Sequence, residues 1–342
     1  MIDPTNNPTA NYPTSRRSLL KTAGALAAAA ALPAAASAQA PAAPAAKSEI
    51  KPESKPVQGG GFYKLTIGDA EVTLIADGGF IADNAGAIFK GDTDDAVTKT
   101  LADRNLAPTR LQMYVNTLLI KKAGKTTLID TGTGGRMGQT NGFLFDRLAA
   151  IGTPAESIDT VVLTHAHGDH FGGLRDADGK PRFVNAELIV GEAEHDFWTK
   201  APDASKAGTR QAGKQQQELF AALKFTRVAV NGEKELRPGV VAVSTPGHTP
   251  GHLSIRVDGG GTNGLFYNTD LIHHVAIILP HPEYRVTFDV DHDAASQTRK
   301  TTFERLAAER MLVSGTHVPF PGFGYIDRAG TGYEWRPAMW QW

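Results

Sequence analysis

Four metal-capable side chains fall within six residues in Thr164-His165-Ala166-His167-Gly168-Asp169-His170, directly after the apolar run Val161-Val162-Leu163. Imidazole nitrogens and carboxylate oxygens at this density suit zinc and neighbouring divalent ions, and they are hard to reconcile with a solvated polar loop. On an extended segment His165 and His167 face the same way. Gly168 is expected to let the chain curl, freeing Asp169 and His170 to reach a second ion beyond the bend. The chain has no cysteine, which excludes disulfides, thiol nucleophiles and thiolate zinc sites.

Three later positions extend this pattern. The turn-rich segment Thr245-Pro246-Gly247-His248-Thr249-Pro250-Gly251-His252 follows the run Val240–Ser244 and holds His248 on a sharp bend. His252 opens the next strand and reads as a supporting residue. Asp270 ends the apolar run Leu265–Tyr267, and His317 follows Met311-Leu312-Val313-Ser314. Taken singly, either would pass for a turn or surface group.

The ends of the chain read differently from its middle. Ser15-Arg16-Arg17-Ser18-Leu19-Leu20-Lys21, an alanine-rich run and the small-x-small site Ala36-Ser37-Ala38 resemble a twin-arginine export signal over residues 1–38. The apolar run is about 14 residues, short of the roughly 20 needed to span a bilayer, so a stable membrane anchor is not expected. A periplasmic protein is expected instead. Residues 39–60 read as a flexible Ala/Pro/Lys leader, and residues 61–342 as one domain. The tail Tyr333–Trp342 holds three tryptophans that either pack on that domain or supply a homodimer contact.

Charge excludes one class of partner. The chain has 35 Lys+Arg against 36 Asp+Glu, and removing residues 1–38 takes Asp3, Arg16, Arg17 and Lys21, a net +2, leaving −3. With no basic cluster, nucleic acid is not expected as a partner. Short apolar runs alternate with helical spacing: strands are expected at Phe62–Ile67, Glu71–Ala76, Leu111–Lys121, Thr126–Asp130, Ile158–Thr164, Phe183–Val190, Val240–Ser244, His252–Val257 and Leu265–Asn268. Helices are expected at Asp92–Arg104, Gly142–Ile151, Gly191–Thr199, Ala207–Leu223 and Ala294–Glu309. That mixture indicates an α/β class.

Together the His-x-His-x-Asp-His loop, the Gly-His-Thr-Pro-Gly-His turn, Asp270 and His317 resemble the metallo-β-lactamase superfamily. The resemblance implies an αβ/βα sandwich, two mixed sheets flanked by helices, with two divalent ions, zinc foremost, at one sheet edge. By the same resemblance His165, His167 and His248 hold one ion, Asp169, His170 and His317 the other, and Asp270 bridges. Leu128-Ile129-Asp130-Thr131-Gly132 resembles the early motif whose Asp supports the metal loops, giving Asp130 a role behind the ligands.

Within the superfamily the chain is similar to the methyl parathion hydrolases through Glu194-His195-Asp196-Phe197-Trp198 and His317–Ile326. That implies hydrolysis of organophosphate triesters or aryl esters by a hydroxide shared between two cations, with Asp169 and Asp270 nearest the chemistry. Trp198, Phe197, Phe171 and Phe320 are expected as pocket walls. The segment after Asp270 departs from that group. Acyl-homoserine lactonases place a Tyr three residues after the bridging Asp, where this chain has His273, so lactone hydrolysis with His273 as acid is the alternative. β-Lactam hydrolysis fits less well, because Asp270 stands at the bridging position, and a non-catalytic metal protein fits least.

Overall fold

The computed structural model describes residues 60–200, 210–259 and 264–339, so residues 1–38 and most of 39–60, with the export signal and the leader, lie outside the described residues. The strands in chain order are β1 (Phe62–Ile67), β2 (Ala70–Ala82), β3 (Phe89–Lys90), β4 (Leu111–Lys122), β5 (Lys125–Ile129), β6 (Thr160–Leu163), β7 (Glu187–Gly191) and β8 (Thr226–Val228). They continue with β9 (Glu233–Arg237), β10 (Val240–Ser244), β11 (Leu253–Asp258), β12 (Gly264–Tyr267), β13 (Arg285–Val286), β14 (Leu312–Ser314), β15 (Gly324–Ala329) and β16 (Gly332–Pro337).

Two seven-stranded sheets carry the fold, in spatial order β1-β2-β4-β5-β6-β7-β8 and β16-β15-β14-β12-β11-β10-β9. Both are mixed: β5 to β8 pair in parallel, as do β12 and β14, and the remaining pairs within the sheets are antiparallel. The parallel strand β6 is buried along its whole length, as expected for a strand covered on both faces. One apolar cluster lies between the sheets, with Leu74, Leu118, Val162 and Ile189 meeting Ala242, Ile255, Leu265 and Tyr267. The outer face of the first sheet is covered by helices Leu144–Ala150, Glu192–Lys200 and Arg210–Ala222. Phe303 and Leu306 of helix His292–Glu309 cover the second, beside Phe266 and Val313. The result is helix, sheet, sheet, helix.

Several elements differ from the sequence expectation. β2 runs on to Ala82 because the chain passes Asp77 as a bulge, and Gly78 and Gly79 stay paired with Val115 and Tyr114 instead of turning. A Cβ on Gly78 (φ +126°) would meet Thr140 O at 2.2 Å, so only glycine admits that crossing. β9 was not expected: its sequence Glu-Lys-Glu-Leu-Arg is charged, which a strand at a sheet edge tolerates. β15 and β16 also lay within an unassigned stretch. In β16, Tyr333 and Trp335 pack against the apolar cluster of the second sheet, while residues 340–342 lie outside the described residues.

The strand ends fix where chemistry can occur. Asp130 follows β5, His165 follows β6, His248 follows β10, Asp270 follows β12 and His317 follows β14. All lie just past the carboxyl ends of their strands, so both sheets deliver side chains to one rim.

Candidate binuclear metal centre

The loop after β6 is extended only as far as His167 (φ −85°, ψ 158°), which caps the short helix Gly168–Phe171. Gly168 has no left-handed backbone and a Cβ there would meet nothing within 4 Å, so the bend comes from helix formation and not from glycine's freedom. The second loop does depend on glycine. At Gly247 (φ +131°) a Cβ would sit 2.2 Å from Ala295 N, and at Gly251 it would sit 2.1 Å from Glu194 N. Both sites admit close backbone approach that fixes the His248 turn.

These loops bring all seven expected donors together. His165, His167, His248 and Asp270 form one group, and Asp169, His170 and His317 another. His167 Nδ1 lies 3.2 Å from His165 Nε2 and 2.9 Å from His248 Nε2. Asp270 lies between the groups: its Oδ1 is 3.1 Å from His170 Nε2, and its Oδ2 is 3.2 Å from His317 Nε2 and 3.3 Å from His248 Nε2. Asp169 Oδ2 is 3.5 Å from His317 Nε2 and 3.8 Å from His170 Nε2.

A further ring of contacts orients the donors. Asp130 accepts the Thr164 N–H and hydroxyl, each at 2.8 Å, and pairs with His170 Nδ1 at 2.8 Å. His248 Nδ1 pairs with Asp289 Oδ1 at 2.9 Å, and Asp289 is held in turn by the buried Arg299. His252 Nε2 meets the Thr269 hydroxyl at 2.8 Å and accepts the Asp270 N–H at 3.3 Å, so it supports the backbone of the bridging residue. Glu194 was missed as a functional residue. Its Oε1 accepts the Ala166 N–H at 2.8 Å and the Trp198 indole N–H at 2.7 Å, and its Oε2 accepts the Thr249 hydroxyl at 2.6 Å. One buried carboxylate therefore joins both histidine loops; its only sequence signal was an acidic residue in the segment that also holds Trp198.

Electrostatics separate the donors into two kinds. Burial, helped by the neighbouring imidazoles, keeps His165 and His167 well below the usual histidine range, so both stay neutral with free lone pairs. Burial opposes charge at His170, His248 and His317 too, yet the carboxylates beside them prevail and raise all three, His248 to about 9. His252 is pushed down to about 3 by burial. The carboxylates thus favour positive charge at the centre.

A pair of divalent ions fits this demand. His170 Nε2 and Asp270 Oδ1 are buried without a hydrogen-bond partner, though only 3.1 Å apart, which is what a shared cation would satisfy. The nitrogen and oxygen donor set suits zinc.

Beside the donors is a cavity of about 520 Å³. His167, Asp169, His248, Asp270, His273 and His317 line one part of it, and Phe80, Met113, Met137 and Phe288 form apolar walls. The aromatic residues expected there are elsewhere. Trp198 is fully buried with its indole on Glu194, because helix Glu192–Lys200 turns that face into the core; Phe171 is core, and Phe197 and Phe320 pack at its margins. His273 does reach the cavity. Its Nε2 lies 3.6 Å from Asp270 Oδ2 and its ring stacks on His317 at 5.6 Å, with neither ring nitrogen hydrogen-bonded. Burial keeps it well below the usual histidine range, so it offers a neutral N–H.

Comparison with known proteins agrees with this geometry. The dizinc quorum-quenching lactonase AidC, solved with the product N-hexanoyl-L-homoserine, is 32% identical, with a TM-score of 0.77 over 82% of this chain and 98% of that one. The hydrolase AbOPH of the beta-lactamase superfamily is 26% identical, with a TM-score of 0.73 over 83% of this chain and all of that one. An N-acyl homoserine lactonase from Bacillus sp. is 29% identical over 111 residues, 32% of this chain, and the match spans only 37% of that relative's length. These relatives overturn the expected kinship with methyl parathion hydrolases in favour of the acyl-homoserine lactonases. That expectation rested on Trp198 and the segment after His317, which in this fold are largely packing features. A twin-arginine translocation signal matches residues 13–33, consistent with periplasmic export, and no described helix is long and apolar enough to cross a membrane. Residues 111–317, which contain every donor named above, match the metallo-beta-lactamase superfamily, and the chain belongs to that superfamily, with the donor set of a binuclear metal-dependent hydrolase.

Proposed function

We propose that the protein hydrolyses lactones, with N-acyl homoserine lactones as the substrate class. The observation that carries this reading is the two-sided cavity: metal-binding side chains on one side, and Phe80, Met113, Met137 and Phe288 on the other. A substrate with a polar, hydrolysable ring and an apolar tail matches both sides at once. Similarity to AidC over nearly all of that lactonase's length supports the same reading.

Bound at the seven donors, divalent ions would polarise the ester carbonyl and make water a nucleophile near neutral pH. The chain's own residues do the rest. The apolar walls hold the tail and keep bulk water from the reacting ester. Ring opening releases an alkoxide, which an aryl ester does not, so it gains from a nearby donor. His273, buried beside Asp270, donates a hydrogen bond from its neutral N–H to that departing oxygen, while the attacking water supplies the hydroxyl to the acyl carbon and the proton to the alkoxide.

A hydrolysis panel on protein of measured metal content tests the reading. N-hexanoyl homoserine lactone should be turned over well ahead of phenyl acetate and methyl paraoxon. Turnover of the latter two with none of any lactone would defeat it.

A further inference from the structure

Gln216 lies on helix Arg210–Ala222 and is 2% exposed. Its side-chain N–H donates to Ala166 O, in the peptide between His165 and His167. That bond fixes the orientation of the amide, since a flip would set two acceptors against each other. Its other polar atom, Oε1, is buried without a partner, although the residue lines the cavity beside the metal donors. A buried acceptor left unpaired is costly, so each such exception in a folded protein calls for a partner that completes the bond.

The orphaned atom can only accept. Aryl acetates and phosphotriesters carry no N–H, and neither does a simple alkyl lactone. An N-acylated aminolactone carries one, at the junction of its ring and its apolar tail. We propose that Gln216 is a specificity-determining residue whose Oε1 accepts the amide N–H of an N-acyl lactone, selecting acylated aminolactones over lactones without the amide. This rests on the lactone reading above. It adds a polar contact between the metal donors and the apolar walls, and gives one residue a double duty: its N–H steadies the His165–His167 peptide while its carbonyl reads the substrate.

The test compares N-hexanoyl homoserine lactone with its analogue bearing an ester oxygen in place of the amide N–H, on full-length, metal-loaded protein. Wild type is expected to favour the amide by about tenfold in kcat/KM, the size of one buried hydrogen bond. Gln216→Met should bring that ratio near unity, chiefly through loss on the amide substrate. Gln216→Glu, which keeps an acceptor but loses the donor to Ala166, should retain a preference. Metal content of each variant separates substrate reading from damage to the His165–His167 loop. Equal turnover of both lactones by wild type overturns the proposal and leaves lactone hydrolysis standing, whereas turnover of neither overturns the lactone reading and this proposal with it. A Gln216→Met protein with full metal content and an unchanged ratio also overturns it.

Discussion

Glu194 accepts the backbone N–H of Ala166 at 2.8 Å, which ties the residue between two metal-binding imidazoles to a carboxylate on another element. The same carboxylate takes the Thr249 hydroxyl, one residue after His248. Glu194→Ala leaves the buried Ala166 N–H unpaired and loosens three donors of one ion. It should weaken metal retention about 10- to 100-fold, read as chelator competition followed by elemental analysis. One ion should leave before the other, since Asp169, His170 and His317 have no contact with Glu194 in this network.

Arg299 and Asp289 form an ion pair buried to within 1% for the guanidinium and 6% for the aspartate residue. Arg299 also donates to Tyr284 O at 2.9 Å. Arg299→Met removes the guanidinium partner of a buried carboxylate, leaving it His248 alone, and should cost up to about 3–5 kcal/mol of stability, measured by denaturant unfolding. The double variant Arg299→Met with Asp289→Asn should recover part of this loss, because no uncompensated charge remains.

His273→Phe keeps a ring against His317 but removes the N–H. Lactone kcat should fall about 100-fold, while phenyl acetate, whose leaving group needs no donor, should be affected far less, and two ions per chain should remain bound. Equal losses on both substrates would contradict the role assigned to His273.

His274 caps helix Val275–Ile278 by accepting the Ala276 N–H at 3.2 Å, and burial pushes it down to about 4. Its usual value is about 6.5, so between those values the unfolded chain binds more protons and stability rises with pH. The contribution is complete above about pH 6.5 and is lost as pH falls through 4, with an upper limit of about 3 kcal/mol. Replacing it with Asn, a good cap that does not titrate, should flatten this part of the stability profile in urea titrations at stepped pH.

Much of the centre was legible in the chain because its donors are concentrated: His165 to His170 lie within one short loop, and His248 lies between two Gly-Pro-rich turns. What brings Asp270 and His317 to them is a pair of strands, β12 and β14, whose parallel pairing has no local signature. The fold was legible where apolar runs were long, as in β4 and β10, and obscure where a strand is charged, as in β9, or broken by glycines, as in β2. The cavity walls were misread for a related reason. Trp198 looks like a ligand platform as a residue type, but the direction it takes depends on which face of its helix meets the sheet. Phe80, Met113 and Phe288, scattered through the sequence, acquire a common purpose only in three dimensions.

Drawing the donors from both sheets has a consequence for the protein's biogenesis. His165 emerges from the ribosome long before His317, and no cage for a pair of cations exists until the second sheet has closed on the first. If the chain, which carries a twin-arginine signal at residues 13–33, folds before it crosses the membrane, the ions available in the cytoplasm would be the ones its donors take. The protein would then reach the periplasm already loaded, carrying a choice made in the compartment it left.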